Sequence, residues 1–162
     1  MGRASKTCTS GRDLMTTKIL ILLGPNLNLL GIRSPETYGS LSMAQIHGEV
    51  QQRAEKLGVA VDLKQSNEEG ELIDCLQEAS QSYSGVAFNP GAYSHYSYAL
   101  HDAIKDTQCP VVEVHFSNIH AREEFRHRSV TATACRGVIA GFGWYGLVLA
   151  IEAILASSST RS

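Results

Sequence analysis

Hydrophobic residues in this chain come in short, dense runs, separated by longer segments where they recur every three or four positions. The runs cover residues 18–24, 59–65, 85–89, 110–115 and 137–141. They are too short for helices, and several are apolar at consecutive positions, as in strands buried on both faces of a parallel sheet. Between them the spacing becomes helical. Ser42-x-x-Gln45 is a capping-box match that opens a helix to about Leu57, stopped by Gly58. Leu72, Ile73, Leu76 and Ala79 mark one face of a helix over 71–82. Ser94 is expected to start a helix ending near Asp106, and residues 144–156 form the last one. Alternating strands and helices predict an α/β sandwich of three layers around a parallel sheet.

Five strands point to the flavodoxin-like order 2-1-3-4-5. Two segments carry neither period. Residues 25–39 form a long loop rich in Gly, Pro and Asn, of the kind that serves as a lid, and residues 117–133 are a polar connection. Residues 1–16 read as a disordered polar tail in which Met15 could be an alternative start, and 157–162 as a short polar C-terminal tail. That leaves one domain over 17–156. At 162 residues, 43% apolar and 19% charged, the chain has the make-up of a folded globular protein. A net charge of −2 and only 7% aromatic residues argue against nucleic acid or an anionic membrane as partner. Residues 137–156 hold a single charge, Glu152, but four glycines and a change of character at Trp144 make them a strand and a helix rather than a membrane span. Cys8, Cys75, Cys109 and Cys135 are scattered without a C-x-x-C pair, so a disulfide framework is not expected and a cytoplasmic location is.

In open α/β sheets, ligands bind beyond the carboxyl ends of the strands. The first strand delivers Asn26 and Asn28, the third Asn89, and the fourth His115, Ser117 and Asn118. Each Asn alone can be a turn residue and His115 a structural group; three strands ending this way on one edge suggest a polar pocket. His95 follows the third strand and could help bind an anion or simply contact a helix start. Asp102, further along, reads as a solvated acid. Arg33 and Tyr38 share the lid, where a guanidinium beside a phenol could tune it as a general base, although loop tyrosines usually just pack. Arg122, Arg126 and Arg128 follow the fourth strand and suit a carboxylate ligand, but for Arg122 a solvated, salt-bridged helix is the preferred reading. No metal site is expected, since no tight His/carboxylate spacing occurs. A P-loop, a G-x-S-x-G elbow and a dinucleotide fingerprint are absent, and no lysine lies within an apolar strand to form an imine.

Four blocks together resemble the type II 3-dehydroquinate dehydratases: GPNLNLLG at 24–31, RSPETYG at 33–39, NPGAYSH at 89–95 and EVHFSNIHAREEFR at 113–126. The resemblance implies a cofactor-free hydro-lyase whose catalytic domain spans 17–156 and assembles as a homododecamer, a tetramer of trimers. Its substrate would be 3-dehydroquinate, dehydrated by anti-elimination through an enolate to 3-dehydroshikimate, in aromatic biosynthesis or quinate breakdown. Carried onto this chain, Tyr38 would be the base and Arg33 its supporting cation. Asn26 would position a water at the enolate, and His115, supported by Glu113, would be the acid. Asn89, His95 and Arg126 would hold substrate with the backbone N–H groups of Phe116 and Ser117. Asp102 would reach into a neighbouring subunit's site. Ser34, Leu23 and residues 127–132 depart from the family's usual pattern, and none of these departures removes a catalytic residue. A non-catalytic binding module lacks its expected acidic pair or phosphate loop after the first strand, and an inactive homologue would not need the intact set of polar residues.

Overall fold

β1 (Lys18–Leu23) lies between β2 (Ala60–Gln65) and β3 (Gly85–Asn89), and the sheet continues through β4 (Val111–His115) to β5 (Gly137–Ala140). All pairings are parallel, in the order 2-1-3-4-5 expected from the sequence. This computed structural model describes residues 17–159, so the segment 1–16 read as a tail, Cys8 included, lies outside the described residues. Two short elements, a 3₁₀ turn at Leu27–Leu29 and α1 (Pro35–Tyr38), interrupt the lid loop. The remaining helices are α2 (Met43–Lys56), α3 (Glu69–Ser82), α4 (Tyr98–Asp106) and α5 (Tyr145–Ser159).

Side chains on a strand alternate between faces, so an all-apolar strand feeds two cores. On β1, Ile19, Ile21 and Leu23 pack with Ile46 and Val50 of α2 and Leu147 and Ile151 of α5. Leu20 and Leu22 face the other way, into a cluster with Leu72 and Leu76 of α3 and Leu100 and Ile104 of α4. The same alternation on β4 sends Val112 and Val114 to the first core and puts Glu113 and His115 together on the opposite face.

The helix α2 begins as its capping box requires: Ser42 Oγ accepts from Gln45 N–H and Gln45 Oε1 accepts from Ser42 N–H. The expected helix start at Ser94 is corrected. Residues Gly91–His95 make a 3₁₀ turn, and the α-helix starts at Tyr98, with Ser97 accepting from Leu100 N–H as its cap. Ser94 is instead fully buried, and its hydroxyl donates back to the Gly91 carbonyl (2.9 Å), so only Ser97 makes the capping bond that opens the helix. At the other end, α5 continues to Ser159, through residues expected to begin the C-terminal tail. Among the described residues, no helix is long and apolar enough to cross a membrane, and the ambiguous 137–156 segment is divided between β5 and α5.

Candidate active site at the carboxyl edge of the sheet

The loops after β1 and β3 meet closely because of two glycines. Gly24 N–H donates to the Asn89 carbonyl at 2.7 Å, and a Cβ on Gly24 would stand 2.7 Å from both the Pro90 carbonyl carbon and its oxygen. Gly91, at φ +58°, sits against Pro25. This contact brings Asn26 and Asn89 to one place. Asn26 is left-handed at φ 67°, and its N–H is caught by Asn67 Oδ1 at 3.0 Å; Gln65 Nε2 donates to the same oxygen at 3.1 Å. Asn89 is buried, with Oδ1 accepting from Gly91 N–H at 3.1 Å.

These loops, the lid and the segment after β4 line a single cleft. Asn26, Arg33, Tyr38, Asn89, His95, His115, Phe116, Ser117 and Arg126 all line it, as does Arg122. Glu113 does not reach the cleft. It is fully buried behind His115, whose Nε2–H donates to Glu113 Oε1 at 2.6 Å. Asp102 does not line this cleft either: its side chain is 77% exposed on α4, 2.9 Å from His101 Nδ1.

Arg122 corrects the sequence reading. The segment expected to be a solvated helix consists of two 3₁₀ turns, Ile119–Ala121 and Glu124–Arg126, and the break between them turns Arg122 inward. Its Nη1 donates to Tyr38 Oη at 2.8 Å and to Ser117 Oγ at 3.1 Å, and its guanidinium lies 5.5 Å from the Tyr38 ring centre. Arg33 sits 5.9 Å from that ring. Tyr38 is therefore flanked by two cations, and the direct donor to its hydroxyl is the one the sequence reading left outside. Arg126 lines the cleft with Nε held by Glu123 Oε2 at 2.8 Å.

Burial by itself would raise the Glu113 carboxyl. The hydrogen bonds from His115, Thr131 and Ser129, with the charge of His115, outweigh it and hold Glu113 below the ordinary carboxylate value. Thr131 Oγ1 donates to Oε2 at 2.5 Å and Ser129 Oγ to Oε1 at 2.7 Å. Neither hydroxyl was legible as part of the site. They lie 16 and 18 residues from Glu113 in sequence, inside a polar stretch without periodicity. His95 donates from Nδ1 to the Arg128 carbonyl at 2.8 Å, which leaves Nε2 as the acceptor. Burial, reinforced by the nearby His115 and Arg126, pushes His95 below the ordinary histidine value despite that bond, so near neutral pH it is an uncharged acceptor. Among the described residues no three His, Cys, Asp or Glu side chains converge as metal ligands. The cleft thus offers a phenol between two guanidiniums, an imidazole backed by a carboxylate, and polar groups able to grip hydroxyls and a carboxylate.

The family model described as Dehydroquinase class II matches residues 17–155. A 3-dehydroquinate dehydratase of Bacillus cytotoxicus is 53% identical over 138 residues, 85% of this chain and 94% of that protein. One from Bacillus cereus is 51% identical over the same shares. Among solved structures, the type II dehydroquinase of Butyrivibrio crossotus superposes with a TM-score of 0.84 at 42% identity, over 86% of this chain and 97% of that one. That of Propionibacterium acnes gives 0.84 at 38% identity, over 88% and 98%. With the same strand order, a cleft at the expected edge and relatives more than half identical along nearly the whole described chain, this protein belongs to the class II dehydroquinase family.

Proposed function

We propose that the protein dehydrates 3-dehydroquinate to 3-dehydroshikimate without a cofactor, through an enolate. The observation that carries this reading is that Tyr38, flanked by two guanidiniums, and His115, backed by a buried carboxylate, open into one cleft. Removing a proton beside a ketone needs a base and groups that stabilise the enolate oxygen, and expelling the β-hydroxyl needs an acid. Tyr38, as phenolate, takes the C2 proton, and the C–H electron pair moves toward the ketone oxygen to form the enolate. Arg122 and Arg33 stabilise negative charge on the tyrosine oxygen, while Asn26 holds a water at the enolate oxygen. The enolate then collapses, the C–O bond breaks, and His115 delivers the proton that lets the hydroxyl leave as water. Glu113 supports the protonated imidazole. Asn89, His95 and Arg126 hold the substrate's hydroxyls and carboxylate, with the Phe116 and Ser117 backbone.

The active species is proposed to be a dodecamer, with Asp102 of one subunit completing a neighbour's site, in a cytoplasmic pathway of aromatic biosynthesis or quinate breakdown. The test is ultraviolet absorbance of purified protein with 3-dehydroquinate, since dehydration creates a conjugated enone. Absorbance that rises at the same rate after borohydride treatment of enzyme and substrate supports an imine-free dehydratase. A folded protein that produces no enone would overturn the reading.

A further inference from the structure

Glu113 is anchored from behind by a pair of hydroxyls. Thr131 is fully buried and donates to Oε2, Ser129 donates to Oε1, and the two hydroxyl oxygens lie 3.1 Å apart. Ser129 is fixed in turn by accepting from Ala132 N–H at 3.0 Å. The carboxylate thus receives a donor on each oxygen in addition to the imidazole. The opposite ring nitrogen, His115 Nδ1, has no protein partner among the described residues, and His115 lines the cleft.

A proton shared between an imidazole and a carboxylate can rest on either. Hydroxyls that donate to the carboxylate favour its anion, and so favour the proton on the ring. We propose that Thr131, with Ser129, is a positioning residue that fixes Glu113 as an oriented anion and keeps the shared proton on His115 Nε2, so that the ring can carry the acid's proton on Nδ1. This assignment rests on His115 being the acid of the proposed dehydration. It gives a task to the segment after Arg126, where the sequence departs from the family's usual pattern. Other ionisable or charged groups near the pair are few. Cys135 Sγ lies 3.9 Å from Glu113 Oε2, the His95 ring stacks 6.4 Å from His115, and Arg126 faces His95.

Thr131→Val keeps the shape and removes the hydroxyl, whereas Thr131→Ser keeps the hydroxyl. The loss of a hydrogen bond to a buried charged group corresponds to a roughly 10- to 100-fold fall in kcat for the Val variant, with KM little changed. The Ser variant is expected to stay within about threefold of the parent, a span of less than ~1 kcal/mol. Without the donor, the state in which Glu113 carries the only charge loses more than the state in which the pair shares a proton. The alkaline limb of the pH–rate profile is therefore expected to move upward in the Val variant and to return in the Ser variant. Imidazole ¹⁵N NMR reads the proton's location independently of turnover: the His115 signal should shift from imidazolium toward neutral in Thr131→Val. Ser129→Ala, which touches the other carboxylate oxygen, should shift both readouts the same way and carries the test if the Val variant does not fold. Equal losses in Val and Ser with an unmoved pH profile and unmoved nitrogen shifts would reduce Thr131 to packing and overturn the proposal. An inactive parent whose nitrogen shifts still respond would overturn the dehydratase reading alone.

Discussion

At the scale of single residues, the cleft separates groups that would do chemistry from groups that hold them. Tyr38 and His115 present reactive atoms to the cleft. Tyr38→Phe and His115→Ala are each expected to abolish enone formation with the circular dichroism spectrum retained. Tm should stay close to the parent in Tyr38→Phe and fall in His115→Ala, where the buried Glu113 carboxylate loses its imidazole donor. Parent-like turnover in either variant contradicts its assigned role. Arg122→Ala should also cost activity, because Nη1 donates to the Tyr38 oxygen; a hydrogen bond from a charged group corresponds to a roughly 10- to 100-fold fall in kcat. A solvated surface arginine, as the sequence reading preferred, would leave the rate unchanged.

Glu113 makes a prediction about stability. Its folded-state value is held below the ordinary one, so its contribution is fully present above the unfolded value of ~4.3 and is lost as pH falls through the lower folded value. Thermal unfolding followed from pH 7 downward should show the parent losing Tm across that acid range. Glu113→Gln cannot titrate, so it should start less stable at neutral pH and decline less steeply on acidification. Parallel Tm curves for the two proteins would mean that the buried carboxylate is not coupled to folding.

At the scale of elements, the sheet and most helices were legible because one face, or both faces, of each must be buried, and burial writes a period into the sequence. The strand 85–89 and the capping box at Ser42 appear in the structure as read. The start of α4 was less legible because Ser94 and Ser97 carry the same capping chemistry three residues apart. What decides between them is a tertiary bond: Val130 N–H donates to the Ser94 carbonyl at 2.7 Å, tying residues 91–95 to the segment after β4. That segment was the least legible part of the site. The roles of Arg122, Ser129 and Thr131 depend on where short 3₁₀ turns point them, and such turns leave no repeat to read. The junction of the β1 and β3 loops is also a tertiary fact, and it predicts that Gly24→Ala is poorly tolerated. The new Cβ would meet Pro90 backbone at 2.7 Å, and backbone cannot rotate away as a side chain can. Destabilisation of ~1–3 kcal/mol in urea unfolding is expected, with reduced turnover because Asn26 and Asn89 are pushed apart. A variant as stable and active as the parent would show that the two loops can separate without disturbing the cleft.

At the scale of the whole molecule, the question is what α4 faces. Asp102 is 77% exposed in its side chain, and Tyr98, one helical turn before it, is 65% exposed, with Tyr96 at 60% just upstream. Residues four apart share a helix face, so an acid and a large aromatic ring stand together on a surface that the single chain leaves open. Such a pairing suits contact with another copy better than contact with water alone. If Asp102 completes a neighbour's cleft, Asp102→Asn lowers activity without touching the cleft of its own chain, and the defect can be repaired from outside. Mixing Asp102→Asn with Tyr38→Phe, after dissociation and reassembly, would then build some sites from an intact Tyr38 on one chain and an intact Asp102 on another. Activity should exceed the average of the two variants, and sedimentation velocity should show one large assembly in every sample. If Asp102 acts only within its own chain, each cleft in the mixture keeps one defect and activity stays at the average of the two variants. The recovered rate therefore reports directly whether the active site belongs to one chain or to two.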